Sequence, residues 1–437
     1  MSLPTESITR RSHIARLDRL RRSRLVRQNL ILFLGGFSAG IGGFVYHAIA
    51  TRYLGPRTYG EVAAIVAVFT VGTTAYQILT IVLARYSAHL QAEGRPGSLP
   101  YIARRAALVL APPSMLFLAG AALLAGPAAR FLNLDSPLPL LWTALAMVAY
   151  SYLAIPRGLL QGSQHFTGFS VNLASELAVR TGGLTLLLVL GLRVNGAALA
   201  LVAGAAWGIL LGLYSLRNVL RLAPEQAQLR TMVHFALTAA AGTAGILLLY
   251  NVDVVLSAHF LNKHSVGVYG VLNKLGTIVY FLTLSVSQVL FPRVVEAVAT
   301  KNHPGRLLLM SGGIMGLLGL CAIGGFWLFG WLVLALFGPG LQEGLPYLVL
   351  VGVIGLGLSL DNLLVQFFMA VHDRVFIPIL AAACALEAAL ITLFHAGIGQ
   401  VVGDVLTAVL LLLGALMVRW LLLLPGLRPE MVTAEED

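Results

Sequence analysis

The feature that most constrains this chain is a series of continuous apolar runs, each about 20 residues long, recurring from one end to the other. As a helix, a run of that length crosses about 30 Å of hydrocarbon. Such runs lie near 29–50, 61–84, 103–126, 138–160, 169–192, 196–216, 234–258, 267–290, 308–333, 345–370, 376–396 and 402–424, twelve in all. They are continuous rather than alternating, which argues against a membrane β-barrel. Only 11% of the 437 residues are charged, against about 25% in an ordinary soluble domain. The expected fold class is an all-α polytopic membrane protein of twelve transmembrane helices.

The chain also repeats itself. LGPRTYGEVAAI at 54–65 aligns without a gap on LNKHSVGVYGVL at 261–272, Leu54 on Leu261 and Gly60 on Gly267. Each segment follows one apolar run and opens the next. Downstream, Arg85 falls opposite Arg293 and Gly196 opposite Gly403. A duplicated block of six spans implies two lobes related by an axis along the membrane normal, an architecture of transporters. The expected divisions are a basic tail at 1–28, a first lobe at 29–216, a linker at 217–231, a second lobe at 232–424 and a tail at 425–437. The last ends in Glu435, Glu436 and Asp437.

Charge sets the expected orientation. With both termini cytoplasmic, only Arg52, Arg57, Arg130, Arg193 and Lys263 fall outside, and Arg180 and Lys274 fall within spans. The remaining 22 of the 29 Lys and Arg are assigned to the inner loops and tails, as the positive-inside rule requires. The net charge of +11 then reflects topology and contact with anionic lipid rather than nucleic-acid binding. Ile14, Leu17 and Leu20 are spaced for one face of a short amphipathic helix on the inner surface. Ala48-Ile49-Ala50 resembles a signal-peptidase site, but the basic region before it is long and helix 1 has a repeat-mate in helix 7, so no cleavage is expected.

Several patterns carry no chemistry. GFSAG at 36–40 matches G-x-S-x-G but lies inside an apolar helix, without the strand and turn a nucleophile elbow needs. The two cysteines, Cys321 and Cys384, both lie within spans and imply neither a disulfide framework nor a metal site. His47, His234, His259 and His395 lie near span ends. No enzyme is expected. Helix 1 is rich in small residues, with Gly36 and Gly40 forming a GxxxG pair suited to close helix packing. Pro112 and Pro113 are expected to kink or break helix 3.

The functional candidates are charges inside spans, each costing about 2.5–3.5 kcal/mol at mid-bilayer. Asp253 in helix 7 and Lys274 in helix 8 lie at similar depth and are placed to meet as an ion pair; alternatively, Lys274 faces a cavity and an anionic head group. Glu176 and Arg180 share a face of helix 5 at i, i+4, acid first. Asp361, with Asn362 beside it, and Glu387 are mid-span acids of the kind found in proton or sodium relays. Arg85 and Arg293 end helices 2 and 8 at the inner face, where they either snorkel or ring an inward entrance with positive charge.

These residues together resemble a known family. RYLGPRTYGEVA at 52–63 is similar to the start of Wzx-type polysaccharide flippases of the multidrug/oligosaccharidyl-lipid/polysaccharide exporter superfamily. NVDVVL at 251–256, VGVYGVLNKL at 266–275, FPR at 291–293 and LFGPGLQEGLPYL at 336–348 continue the likeness. The resemblance implies a V-shaped pair of six-helix bundles working by alternating access in the cytoplasmic membrane. It implies movement of a polyprenyl-pyrophosphate-linked oligosaccharide to the outer leaflet, with Arg180, Lys274, Arg85 and Arg293 as head-group residues. It makes Asp253 and Asp361 candidates for Na+ or H+ coupling, with Glu387 and Glu176 as further acids. No cofactor is implied; partners would be the lipid-linked substrate, membrane lipids and polysaccharide polymerase or assembly proteins. Helix 1 lacks the acid of some drug exporters, and twelve spans are fewer than the fourteen usual in lipid II flippases. Two other functions remain open: a cation-coupled drug or metabolite antiporter, and a non-transporting scaffold.

Overall fold

A computed structural model describes residues 40–95, 97–225, 245–299, 304–371 and 373–423. The N-terminal tail, the first part of helix 1 with its GxxxG pair and GFSAG, His234, most of the linker, the start of helix 7, the side chain of Arg293 and the C-terminal tail lie outside these residues. All regular structure described is helical.

Residues 40–72, here α1, hold helical hydrogen bonding throughout, yet they do not form one rod. The Tyr59 hydroxyl and His47 Nδ1 share a hydrogen bond of 2.8 Å, whereas residues twelve apart on a straight helix are separated by about 18 Å. The chain reverses at Gly55, whose φ of +71° is a left-handed conformation that glycine adopts without steric cost. Pro56 then opens the second arm. The connection predicted over 51–60 is thus reduced to a single turn.

Beyond α1 come α2 (Thr74–Ala92), α3 (Ser98–Phe131), α4 (Leu138–Gly162), α5 (Phe166–Val189), α6 (Arg193–Ser215) and the short α7 (Arg217–Leu220). A single turn at 245–249, α8, leads into α9 (Val252–Phe260). Then follow α10 (Lys263–Ala299), α11 (Pro304–Phe337), a 3-10 turn (Gln342–Tyr347), α12 (Leu348–Ala370), α13 (Phe376–Leu393) and α14 (Ile398–Leu423). Nine segments among the described residues are long and apolar enough to cross a membrane, and Gly245–Phe260 is a shorter apolar one. The first of the nine, Gly40–Ala92, contains the reversal at Gly55. Helix α5 is not among them, because Asn172, Glu176 and Arg180 make it more polar, and α4 and α6 pack against it.

Two expectations change. Helix α3 continues through Pro112, Pro113 and Pro127; adjacent prolines remove donors from one turn only, and long membrane helices tolerate that loss. Helix 7 is not continuous. Tyr250 and Asn251 form a turn, and Asp253 falls in the first turn of α9.

Helix α4 packs on α2, α3 and α6, and α5 lies along α6. Separately, α12 packs on α10, α11 and α14, and α13 on α14 and α9. On α6, Gly204, Gly208 and Gly212 form a small-residue stripe. A Cβ at these positions would lie 2.9 Å from Glu176, 2.9 Å from Leu153 and 2.7 Å from Pro156. This close approach brings the polar face of α5 against α6 and α4.

Candidate functional site

The stripe on α6 seats a buried polar cluster. Arg157 of α4 is 2% exposed, and three of its nitrogens have partners. Its Nε donates to Asn172 Oδ1 at 2.7 Å, Nη1 to the Tyr76 hydroxyl at 2.8 Å, and Nη2 to Glu176 Oε2 at 3.4 Å. Asn172 in turn donates to the Gly208 carbonyl at 2.7 Å. Glu176 also accepts from the Tyr150 hydroxyl at 2.5 Å and lies 3.9 Å from Arg180 Nη1. Arg180 is held more loosely. Its Nη1 donates to Tyr150 at 3.4 Å, its guanidinium lies 5.4 Å from the centre of the Tyr46 ring, and its side chain is 17% exposed. Its Nε is buried without a hydrogen-bond partner among the described residues.

Asp253 organises a second cluster. Its carboxylate accepts from the Tyr269 hydroxyl, from Asn273 Nδ2 at 3.0 Å and from the Val254 amide at 2.8 Å. Its place in the first turn of α9 also puts it at the positive end of the helix dipole. Asn273 further donates to the Tyr250 carbonyl at 3.2 Å. Tyr250, Asp253, Tyr269 and Asn273 line a cavity of about 20 Å³, room for one water molecule or a small cation.

The ion pair anticipated between Asp253 and Lys274 is absent at contact distance among the described residues. The turn at 250–251 sets Asp253 against Tyr269 and Asn273 instead. Lys274 is half-buried and acts on Asp253 only through its field. Lys274 and Arg180 both act electrostatically on His47, which neighbours Tyr46 on α1.

Asp361 and Glu387 are fully buried, and none of their carboxylate oxygens has a hydrogen-bond partner among the described residues. Glu387 lies within the field of Asp253. Arg85 is exposed on α2, and both α2 and α10 run on past Arg85 and Arg293, to Ala92 and Ala299. Neither arginine ends its helix as expected.

Arg157, Asn172, Tyr76 and Tyr150 are not picked out as site residues by the sequence. The signal was present. Asn172, Glu176 and Arg180 follow at i, i+4 and i+8 on α5, and Tyr150 and Arg157 stand two turns apart on α4.

A third set of contacts ties the two helix groups together at the end that carries Gly55. The repeat-equivalent glycines cross there. A Cβ on Gly60 would meet the Lys263 carbonyl and lie 3.1 Å from the Gly267 amide nitrogen, and one on Gly267 would overlap the Pro56 carbonyl. Lys263 pairs with Glu61 at 2.7 Å and with Asp135. The Asn133 amide donates to the carbonyls of Ala258 and His259 at 2.9 and 3.1 Å. The His259 ring stacks on Phe131, centroids 4.2 Å apart.

The fold is that of a known class of multi-pass membrane transporters. An inward-facing multidrug-resistance MATE transporter of the MOP superfamily superposes with a TM-score of 0.75 at 12% identity, covering 89% of this chain and 95% of that one. The lipid II flippase MurJ in an inward closed conformation gives 0.65 at 13%, covering 90% and 87%. An outward-facing MATE transporter gives 0.61 at 13%, covering 92% and 95%. Residues 25–298 match the profile of the polysaccharide biosynthesis protein family. The chain belongs to that family. A search of curated proteins found no match.

Proposed function

We propose that this protein carries a polyprenyl-pyrophosphate-linked oligosaccharide from the inner to the outer leaflet of the cytoplasmic membrane by alternating access. The observation that carries the proposal is a pair of half-buried cations: Arg180 comes no nearer a carboxylate than 3.9 Å, and Lys274 has no ion pair among the described residues. Neither cation is saturated by a carboxylate, and each comes from a different repeat. An anionic pyrophosphate between them would offset the cost of holding two positive charges within the bilayer. The uncharged lipid tail would stay in the hydrocarbon.

In this reading the chain has twelve spans in two lobes, 29–216 and 232–424, with both termini cytoplasmic. The end bearing Gly55 is the outer end, and the crossing of Gly60 and Gly267 with the Lys263 ion pairs holds it shut. The described state is then inward-facing. The cavity at Asp253 is the candidate Na+ or H+ site, with Glu387 in its field and Asp361 as a further acid.

A second function, cation-coupled export of a drug or metabolite, is favoured by one observation. The buried acids of the first repeat, Glu61 and Glu176, are paired with cations, whereas Asp253, Asp361 and Glu387 in the second repeat have no ion pair among the described residues. Reconstitution separates the two. Proteoliposomes should translocate a lipid-linked oligosaccharide and leave cationic dyes in place; efflux of cationic dyes without lipid movement would reverse the assignment.

A further inference from the structure

We infer that Arg157 is a positioning residue whose charge neutralises Glu176, leaving Arg180 free to receive an anionic head group. The inference rests on the proposed pyrophosphate site and deepens it. Three charged side chains share the cluster: Arg157, Glu176 and Arg180. They sum to one positive charge, and burial tells which cation carries it. Arg157 is sealed at 2% exposure, with donors fixed by Asn172, Tyr76 and Glu176. A guanidinium held that way cannot reach a ligand. Arg180 is partly exposed, keeps a buried Nε without a partner among the described residues, and meets Glu176 only at 3.9 Å.

The geometry thus divides labour between two arginines that look alike in sequence. Glu176 is spent on Arg157 and Tyr150. Without Arg157, Glu176 would have Arg180 as its only cation within ion-pair distance among the described residues. An arginine and a carboxylate form a strong paired hydrogen bond when nothing competes. The cluster would become neutral and Arg180 would no longer be available. The site's preference for a doubly charged phosphate would therefore depend on a residue that never touches it.

The test is one of charge balance. Full-length protein in nanodiscs is titrated with a short-chain polyprenyl pyrophosphate and with the corresponding polyprenyl alcohol, and thermal unfolding is recorded for each variant. Wild type is expected to prefer the pyrophosphate. Arg157→Gln should weaken pyrophosphate binding roughly ten- to a hundredfold, the effect of losing one charge at a few ångströms in a partly polar interior, and leave alcohol binding unchanged. Arg157→Gln with Glu176→Gln restores the net charge of the cluster and should regain most of the lost affinity. A double variant as weak as Arg157→Gln, with both unfolding like wild type, would overturn the inference and make Arg157 a packing residue or a direct ligand. If Arg157→Gln does not fold, the double variant decides alone, since it retains Arg180 and no buried carboxylate at 176. Failure of wild type to distinguish pyrophosphate from alcohol would instead overturn the head-group site itself.

Discussion

Adding one methyl group at position 267 should open the end that carries Gly55. Gly267 and Gly60 cross backbone to backbone, and the atoms a new Cβ at 267 would strike are the carbonyl oxygen, carbonyl carbon and Cα of Pro56. None of these is the end of a flexible side chain, so the strain cannot be relieved by a rotamer change. Overpacking of this kind costs about 1–3 kcal/mol. In an alternating-access cycle that cost falls only on the closed state, because the two segments part when this end opens. Gly267→Ala should therefore shift the closed-to-open ratio by about five- to 150-fold, at one decade per 1.4 kcal/mol. Spin labels at Leu138→Cys and Gln342→Cys, both exposed near this end, report the separation once Cys321 and Cys384 are replaced. Gly43→Ala is the control, since a Cβ there has nothing within 4 Å. A longer distance population in Gly267→Ala alone is expected. Identical distributions in both variants would refute the claim that this crossing is a gate.

The same closure predicts a pH dependence. Asp135 lies in the α3–α4 connection, and its hydrogen bond with Lys263, followed by that with Glu61, holds its carboxyl below the ordinary range. A depressed pKa stabilises the closed state above the ordinary carboxyl value, about 3.9, and that stabilisation fades as pH falls through the lowered value. The label distances should be constant from pH 6 to 8 as far as Asp135 is concerned, and lengthen only in strong acid; Asp135→Asn should abolish the acid effect. On the opposite end, Arg419 Nε donates to Asp373 at 2.8 Å. Burial raises the Asp373 pKa, but this bond and the Val375 amide outweigh it and leave the group lowered. Asp373→Asn should cost about 1 kcal/mol of stability at neutral pH, after allowance for partial exposure, and little once the acid is protonated; equal loss at both pH values would contradict this. Asp361→Leu replaces a buried carboxylate that has no described partner, so it should raise the melting temperature while abolishing ion-dependent transport. A stabilised variant with intact ion dependence would remove Asp361 from the coupling site.

The apolar helices were legible because a membrane demands long apolar runs, and nine segments among the described residues are long and apolar enough to cross one. The alignment of Gly60 on Gly267 was legible too, and the structure brings those two residues against each other. What escaped the sequence depends on how helices are turned and spaced. The i, i+4 rule found Glu176 and Arg180 on one helix, but it cannot report that Arg157, on another helix, reaches the same carboxylate. The ion pair expected between Asp253 and Lys274 assumed an unbroken helix 7. The turn at Tyr250 and Asn251 gives Asp253 to Tyr269 and Asn273 instead. Glu61, Asp135 and Lys263 are scattered over some 200 residues, and each alone reads as an ordinary loop charge. Their meeting is a property of the tertiary fold.

The central claim is that Arg180 and Lys274, one from each repeat, jointly hold an anionic head group during transport. The most direct measurement is the rate of lipid-linked oligosaccharide translocation in proteoliposomes for wild type, Arg180→Gln, Lys274→Gln and the double variant, each checked for unfolding temperature. Each single variant should slow translocation by at least tenfold, and the double variant should abolish it, with folding intact. Wild-type rates in the folded double variant would contradict the account.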